Sequence, residues 1–324
     1  MEYRYCGNSG LQLPAVSLGL WHNFGSVDPY DEAERMVLEA FAQGVTHFDL
    51  ANNYGPEPGS AETNFGKILK SQLAAHRDEM IISTKAGHDM WPGPYGDGSS
   101  RKNLMASIDQ SLKRMQLDYV DIFYSHRYDG VTPVEETMQA LIDIVRQGKA
   151  LYVGISKYPA DLQQRCYDIL REAHVPCLIS QYRASMYDNK ALEENLPVAI
   201  NEGSGFICFS PLAQGLLTPR YLNGIPEGSR AARSTGFLQR EDVTPKRVEA
   251  SRQLAAIAER REQTLPQMAL AWLLAHKGVT SVIVGASSVA QLRGNIAAAE
   301  KLTFSGSDIS EINAILADEE LQLS

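Results

Sequence analysis

Short apolar runs rich in Val, Ile and Phe recur along the chain, at residues 16–20, 46–50, 80–84, 119–125, 150–155, 177–182, 205–209 and 280–284. They are nearly continuous rather than alternating. That pattern predicts strands of a parallel sheet covered on both faces. Between them the period changes to that of a helix. Residues 31–43 place Ala33, Met36, Val37, Ala40 and Phe41 on one face, and Gly44 follows as a stop. Residues 102–117, 133–147, 160–173 and 190–201 read similarly. Two helices, about 246–261 and 265–276, precede the last strand, and 289–299 follows it. An amphipathic helix over about 308–321 closes the chain. At the other end, residues 3–6 and 11–14 flank the turn residues Gly7, Asn8, Ser9 and Gly10, which predicts a hairpin.

Alternating strands and helices leave two architectures. A doubly wound sheet would carry a Gly-rich fingerprint after its first strand. That place reads Gly19-Leu20-Trp21-His22-Asn23. A (β/α)8 TIM barrel needs about 250 residues, and the 324 present leave room for an N-terminal β-hairpin, a C-terminal helix and one long loop. The expectation is such a barrel, as a single domain over residues 1–324, with no Pro- or Ser-rich linker to divide it.

Composition narrows the function. With 30 Lys+Arg against 39 Asp+Glu, the net charge of -9 argues against general nucleic-acid binding, which needs a basic footprint. Cys6, Cys166, Cys177 and Cys208 are scattered, with neither Cys-x-x-Cys nor metal-ligand spacing. They read as buried thiols of a reducing compartment. The sequence carries no apolar signal core and no apolar run of about 18 residues, so a cytoplasmic location without a membrane span is expected.

In a barrel, reactive groups gather at the C-terminal ends of the strands and in the loops that follow. In chain order these positions hold Trp21 and His22; Asp49, with Tyr54 beyond; Lys85; His126; Ser156 and Lys157; Gln181; Ser210; and Gly285, Ala286 and Ser287. Singly, each has a structural reading: Asp49 and Lys85 an ion pair, His126 a hydrogen-bonded histidine, Tyr54 a packing residue. Together they make a proton donor beside a polarised carbonyl. Lys85 favours the phenolate of Tyr54 and so lowers its pKa, Asp49 holds Lys85, and His126 orients the carbonyl. The missing electron pair is what a bound nicotinamide delivers as hydride. Other barrel chemistries fit less well. No His-x-His follows the first strand, so no metal site is expected, and Phe209-Ser210-Pro211-Leu212 gives a glycosidase no carboxylate.

The stretches THFDLANNYGPEPGSAETNFG, IISTKAGHDMWPGPYG, DYVDIFYSHR, GKALYVGISKY, FSPLAQGLLTPRYLNGIP and SVIVGASSVAQLRGNI resemble the aldo-keto reductases, in order and over nearly the whole chain. Within that family the chain is similar to the group containing bacterial L-glyceraldehyde 3-phosphate reductases and the potassium-channel β subunits. The resemblance implies a catalytic tetrad of Asp49, Tyr54, Lys85 and His126. It implies that Ser156, Lys157 and Gln181 hold the nicotinamide carboxamide and that Phe209 stacks on the ring. The loop from Ser210 to Arg220, with Leu212, Gln214 and Gly215, would wrap the pyrophosphate, and Arg230 would lie near the adenosine end. Gly285, Ser287, Gln291 and Asn295 would contact the adenine nucleotide. The chain departs from the family pattern at Lys157, where many members carry Asn, in the run QYRASMYDN after Ser180, and at Gly294.

The expected activity is NADPH-dependent reduction of small aldehydes, including L-glyceraldehyde 3-phosphate and methylglyoxal. Arg220, Arg230 and Arg293 are the candidates for the extra phosphate of NADPH. Trp21, Trp91, Tyr95 and Arg127 are expected to form the substrate pocket, with Arg127 reading an anionic group or pairing with Asp129. A homo-oligomer is expected. The alternative is a cofactor-binding interaction protein like the channel β subunits.

Overall fold

The computed structural model describes residues 1–227, 229–232 and 238–323. Strands β1 (Tyr3–Tyr5) and β2 (Gln12–Pro14) pair antiparallel as the expected hairpin. Eight further strands follow: β3 (Val16–Gly19), β4 (His47–Asp49), β5 (Ile81–Ala86), β6 (Val120–Ser125), β7 (Ala150–Ser156), β8 (Cys177–Arg183), β9 (Gly205–Phe209) and β10 (Val279–Val284). They pair in parallel, each with its successor, and β10 returns to β3, so the sheet closes. All eight were legible as apolar runs, with ends shifted by one or two residues.

The helices are α1 (Tyr30–Ala42), α2 (Ser60–Ile68), α3 (Arg101–Met115), α4 (Val134–Arg146), α5 (Ala160–Glu172), α6 (Lys190–Glu202), α7 (Pro245–Arg260), α8 (Leu265–Ala275), α9 (Val289–Ile296) and α10 (Gly306–Leu316). Side chains begin several of them: the hydroxyls of Ser100, Thr244, Thr264, Ser288 and Ser305 each accept a first-turn backbone N–H. Helix α2 has no counterpart in the apolar pattern. It is short, and it follows a Gly/Pro-rich loop. Tertiary contact holds it: Phe65 packs at 5.3 Å from Phe48, and Glu62, fully buried, accepts from Thr84 Oγ1 at 2.5 Å and Arg114 Nε at 2.6 Å. Helices α7 and α10 pack together outside the ring.

Two apolar regions result. The larger lies between the sheet and its helices. The smaller fills the lumen with Ile122, Tyr124, Ile179, Ile207 and Ile283, and Cys6 and Leu13 of the hairpin segment join it. The hairpin thus closes the end of the barrel where the strands begin, and leaves the opposite end for chemistry. Gly154 makes room in this lumen: a Cβ there would lie 2.4 Å from the Tyr124 ring. All four cysteines are free and buried.

Candidate active site

Asp49 is the last residue of β4 and Lys85 lies near the end of β5, in adjoining strands. Their side chains meet inside the barrel mouth, with Lys85 Nζ 2.5 Å from Asp49 Oδ2. The same ammonium donates to the Leu50 carbonyl at 2.7 Å. Asp49 Oδ1 accepts from Ser83 Oγ at 2.8 Å and from Gln181 Nε2 at 3.1 Å. A buried ion pair costs much desolvation unless its remaining donors and acceptors are engaged; here Asp49 accepts from Lys85, Ser83 and Gln181, and Lys85 uses two of its three donors. Ser83 gives its proton to the carboxylate, so His47 Nε2, 3.0 Å away, is the donor to Ser83. His47 Nδ1 then accepts from Ser17 Oγ at 2.9 Å. A one-directional polar chain through the barrel core therefore ends on Asp49. Burial holds the His47 imidazole down at about 4, which keeps it neutral for this role.

Tyr54 sits on the loop after β4. Gly55 adopts a positive φ of 92°, and a Cβ there would lie 2.2 Å from Ser60 Oγ, so the loop turns tightly against its neighbours. The Tyr54 ring centroid is 5.1 Å from Lys85 Nζ, 6.0 Å from the His126 ring and 6.1 Å from that of Trp21. His126 follows β6, and its backbone N–H donates to the Ala86 carbonyl at 2.8 Å. Burial, and after it the Asp49 carboxylate, pushes the Tyr54 phenol well above its ordinary value. This reverses the expectation that Lys85 lowers it: the ammonium is engaged by Asp49. Burial, then the cations Lys157 and Lys85, holds the His126 imidazole well below its usual range. Such a site holds a neutral phenol and a neutral imidazole side by side. An alkoxide is more basic than a phenolate, so a phenol of unlowered acidity can still protonate one.

A cavity of 840 Å³ opens here, lined among others by Trp21, Tyr54, His88, His126, Lys157, Gln181, Phe209, Ser210 and Gln214. Its donor set fits a nicotinamide. Phe209 presents a partly exposed ring, and next to the cavity-lining Lys157 the buried Ser156 Oγ has no hydrogen-bond partner among the described residues. Ser210, Ala213 and Gln214 all hold positive φ, and such strain collects at ligand-binding turns. Leu212 accepts the Gly215 N–H within the same turn at 2.9 Å. Gly285 and Ser287 lie on the turn from β10 into α9, and Gln291 and Asn295 on α9 itself, outside this cavity. There Gln291 Oε1 accepts from Ser287 N at 2.9 Å and Ser287 Oγ at 3.0 Å, while Asn295 donates to the Gly285 carbonyl at 3.5 Å. Arg220 is exposed, and the side chain of Arg230 lies outside the described residues. Arg293 is tied to Glu39 at 2.7 Å.

Three residues expected at the substrate pocket lie away from this cavity's wall. Trp91, Tyr95 and Arg127 do not line the cavity, and Tyr95 is 59% exposed. Arg127 donates to the Gly87 carbonyl at 2.8 Å and pairs with Asp97 at 2.8 Å. Asp129, its other expected partner, instead takes the Ser99 N–H at 2.7 Å and the Thr132 hydroxyl at 2.7 Å. The cavity wall uses residues the sequence did not single out. His88 stands edge-on to His126 at 4.4 Å, and Tyr158, Arg183, Leu238 and Leu323 complete other sides. His47 and Ser83 were also missed, since a polar residue inside an apolar run gives no sign of facing the lumen.

The aldo/keto reductase family model matches residues 15–317. An L-glyceraldehyde 3-phosphate reductase of Escherichia coli O157:H7 is 54% identical over 330 aligned positions, covering 100% of this chain and 94% of that protein. The protein of the same name from Escherichia coli strain K12 is 53% identical with the same coverage. Closed parallel barrel, buried polar cluster at its mouth and full-length similarity agree: the chain belongs to the aldo/keto reductase family, whose members are oxidoreductases.

Proposed function

We propose that the protein reduces short aldehydes to alcohols with NADPH, and that Tyr54 is the general acid. The observation carrying this reading is the Asp49–Lys85 pair beneath the Tyr54 ring, with the His126 ring at its edge, all opening on one cavity. A bound reduced nicotinamide supplies the hydride. Ser156 and Gln181 would hold its amide, and Phe209 would cover its ring. Neutral His126 donates a hydrogen bond to the aldehyde oxygen and fixes its direction. As the carbonyl carbon gains the hydride, the oxygen takes the Tyr54 proton. The phenolate left behind faces the Lys85 ammonium, and Asp49 keeps that ammonium charged and in place. The hydride a bound nicotinamide would give balances the reduction of the carbonyl and would leave that cofactor oxidised, while solvent returns the proton to Tyr54.

The names of the two relatives support L-glyceraldehyde 3-phosphate as a substrate. Methylglyoxal is of similar length and fits the same reading. No helix among the described residues is long and apolar enough to cross a membrane, in keeping with the cytoplasmic location we propose. The direct test mixes the protein with NADPH and each aldehyde and follows nicotinamide absorbance. Aldehyde-dependent oxidation of NADPH is expected. Tight NADPH binding without turnover of any short aldehyde would favour the interaction-protein reading instead.

A further inference from the structure

Among the described residues, the charged groups around the cavity are matched in pairs, with one exception. Lys85 has Asp49, Arg127 has Asp97, Arg183 has Asp188, and Lys190 has Glu194. Lys157 lines the cavity and has no carboxylate partner among the described residues. It follows the last residue of β7 with a positive φ of 59°, a conformation a non-glycine residue holds only when its surroundings impose it. Its ammonium lies 2.8 Å from His88 Nε2 and 5.9 Å from the Phe209 ring centroid. Burial, then Lys157 and Arg127, holds the His88 imidazole down at about 4, so its Nε2 accepts from the ammonium. A lysine has three donors, and the other two find no acceptor among the described residues. The His88 ring in turn stands edge-on to His126 at 4.4 Å. A cation with donors to spare is therefore fixed one imidazole away from the carbonyl position.

We propose that Lys157, held by His88, recognises the anionic end of the substrate, so that the pocket selects short aldehydes carrying a phosphate or a carboxylate. The proposal rests on the aldehyde reductase reading, assigns to Lys157 the role expected of Arg127, and moves the lysine away from the nicotinamide carboxamide contact that the family resemblance implies. An anion of this class matches the charge that stands without a carboxylate partner among the described residues. It also offsets the repulsion among neighbouring cations. Burial, then Lys85 of β5, Arg127 beyond β6 and Arg183 of β8, brings the Lys157 ammonium down to about 8.

The test compares kcat/KM for L-glyceraldehyde 3-phosphate, a carboxylated aldehyde of similar length, and uncharged glyceraldehyde. Lys157→Met is expected to lower the ratio of phosphorylated to uncharged substrate about ten- to a hundredfold, the worth of a charge-assisted hydrogen bond. Lys157→Arg should restore most of it. The carboxylated aldehyde shows which anion the site prefers. In the parent enzyme the ratio should fall as pH rises through about 8, because Lys157 then loses its proton; the Arg variant should hold it. A ratio unmoved by Lys157→Met overturns the proposal while the reductase reading stands. So does a weakened NADPH dissociation constant with that ratio intact, which would assign the lysine to the cofactor. An enzyme that reduces none of the three aldehydes removes both readings.

Discussion

Replacing Tyr54 by Phe keeps the ring beside Trp21 and Lys85 and removes only the hydroxyl. NADPH binding should persist, while aldehyde reduction falls by at least about a hundredfold, the lower end for losing a general acid. Steady-state rates with a nucleotide titration check this, and near-normal turnover would remove Tyr54 from its proposed role. The shifted groups also set a pH profile. The Tyr54 phenol keeps its proton to a value above its ordinary 10.0, so on the basic side reduction is lost first as the Lys85 ammonium, lowered by burial from its ordinary 10.5, gives up its charge. Reduction needs neutral His126, so on the acidic side it is lost only as pH falls through a value below the imidazole's ordinary 6.5. For an uncharged aldehyde, kcat/KM should be flat between those limits. A limb near neutrality would mean that another group controls the step.

Single elements carry the next level. Strand β7 passes the Tyr124 ring at Gly154, and that ring lies 5.6 Å from the Lys85 ammonium. Gly154→Ala should cost about 1–3 kcal/mol of stability by overpacking, read by urea unfolding, and should lower turnover by displacing the ring beneath Lys85. An unchanged midpoint would show that the lumen can yield there. The chain's end is also an element of the site. Arg247 of α7 donates to the Leu321 carbonyl at 3.0 Å and the Gln322 carbonyl at 2.6 Å, which sets Leu323 against the cavity. Apolar periodicity identified β3 to β10 because both faces of a barrel strand are covered. It missed α2, whose nine residues are held by a buried Glu62–Arg114 pair and one aromatic contact, neither of which has a period.

For the whole molecule, two expectations concern binding partners. NADPH should bind more tightly than NADH, because an arginine fork matches phosphate geometry. Arg230→Ala should erase that preference. Arg220→Ala should weaken both nucleotides by about tenfold or more, since a pyrophosphate is common to them. Arg293 is already committed to Glu39, and its replacement should leave the preference intact. Fluorescence titration checks all three, and equal dissociation constants for the two nucleotides in the parent protein would refute the first. The protein is also expected to form a homo-oligomer, with a light-scattering mass at micromolar concentration as the measure. A monomer mass would refute it.

The amino-acid sequence by itself determined the barrel and pointed to the place of the chemistry proposed for it. Eight apolar runs separated by helical periods admit few closures, and a parallel barrel exposes its reactive residues where each run ends. Asp49, Tyr54, Lys85 and His126 could therefore be put forward as candidates from position and residue type, together with the family resemblance that implies the same four. Tertiary structure alone decided their electrostatics and their neighbours. Tyr54 is less acidic than expected because its burial outweighs an ammonium already claimed by Asp49. Arg127 turns to Asp97 and leaves the cavity to Lys157, because ion-pair choice depends on distances across separate loops. His47 and Ser83 became part of the site only when strand register placed them under Asp49. Local pattern sets which residues lie on a strand or helix, whereas charge, burial and hydrogen bonding depend on what closure brings beside them.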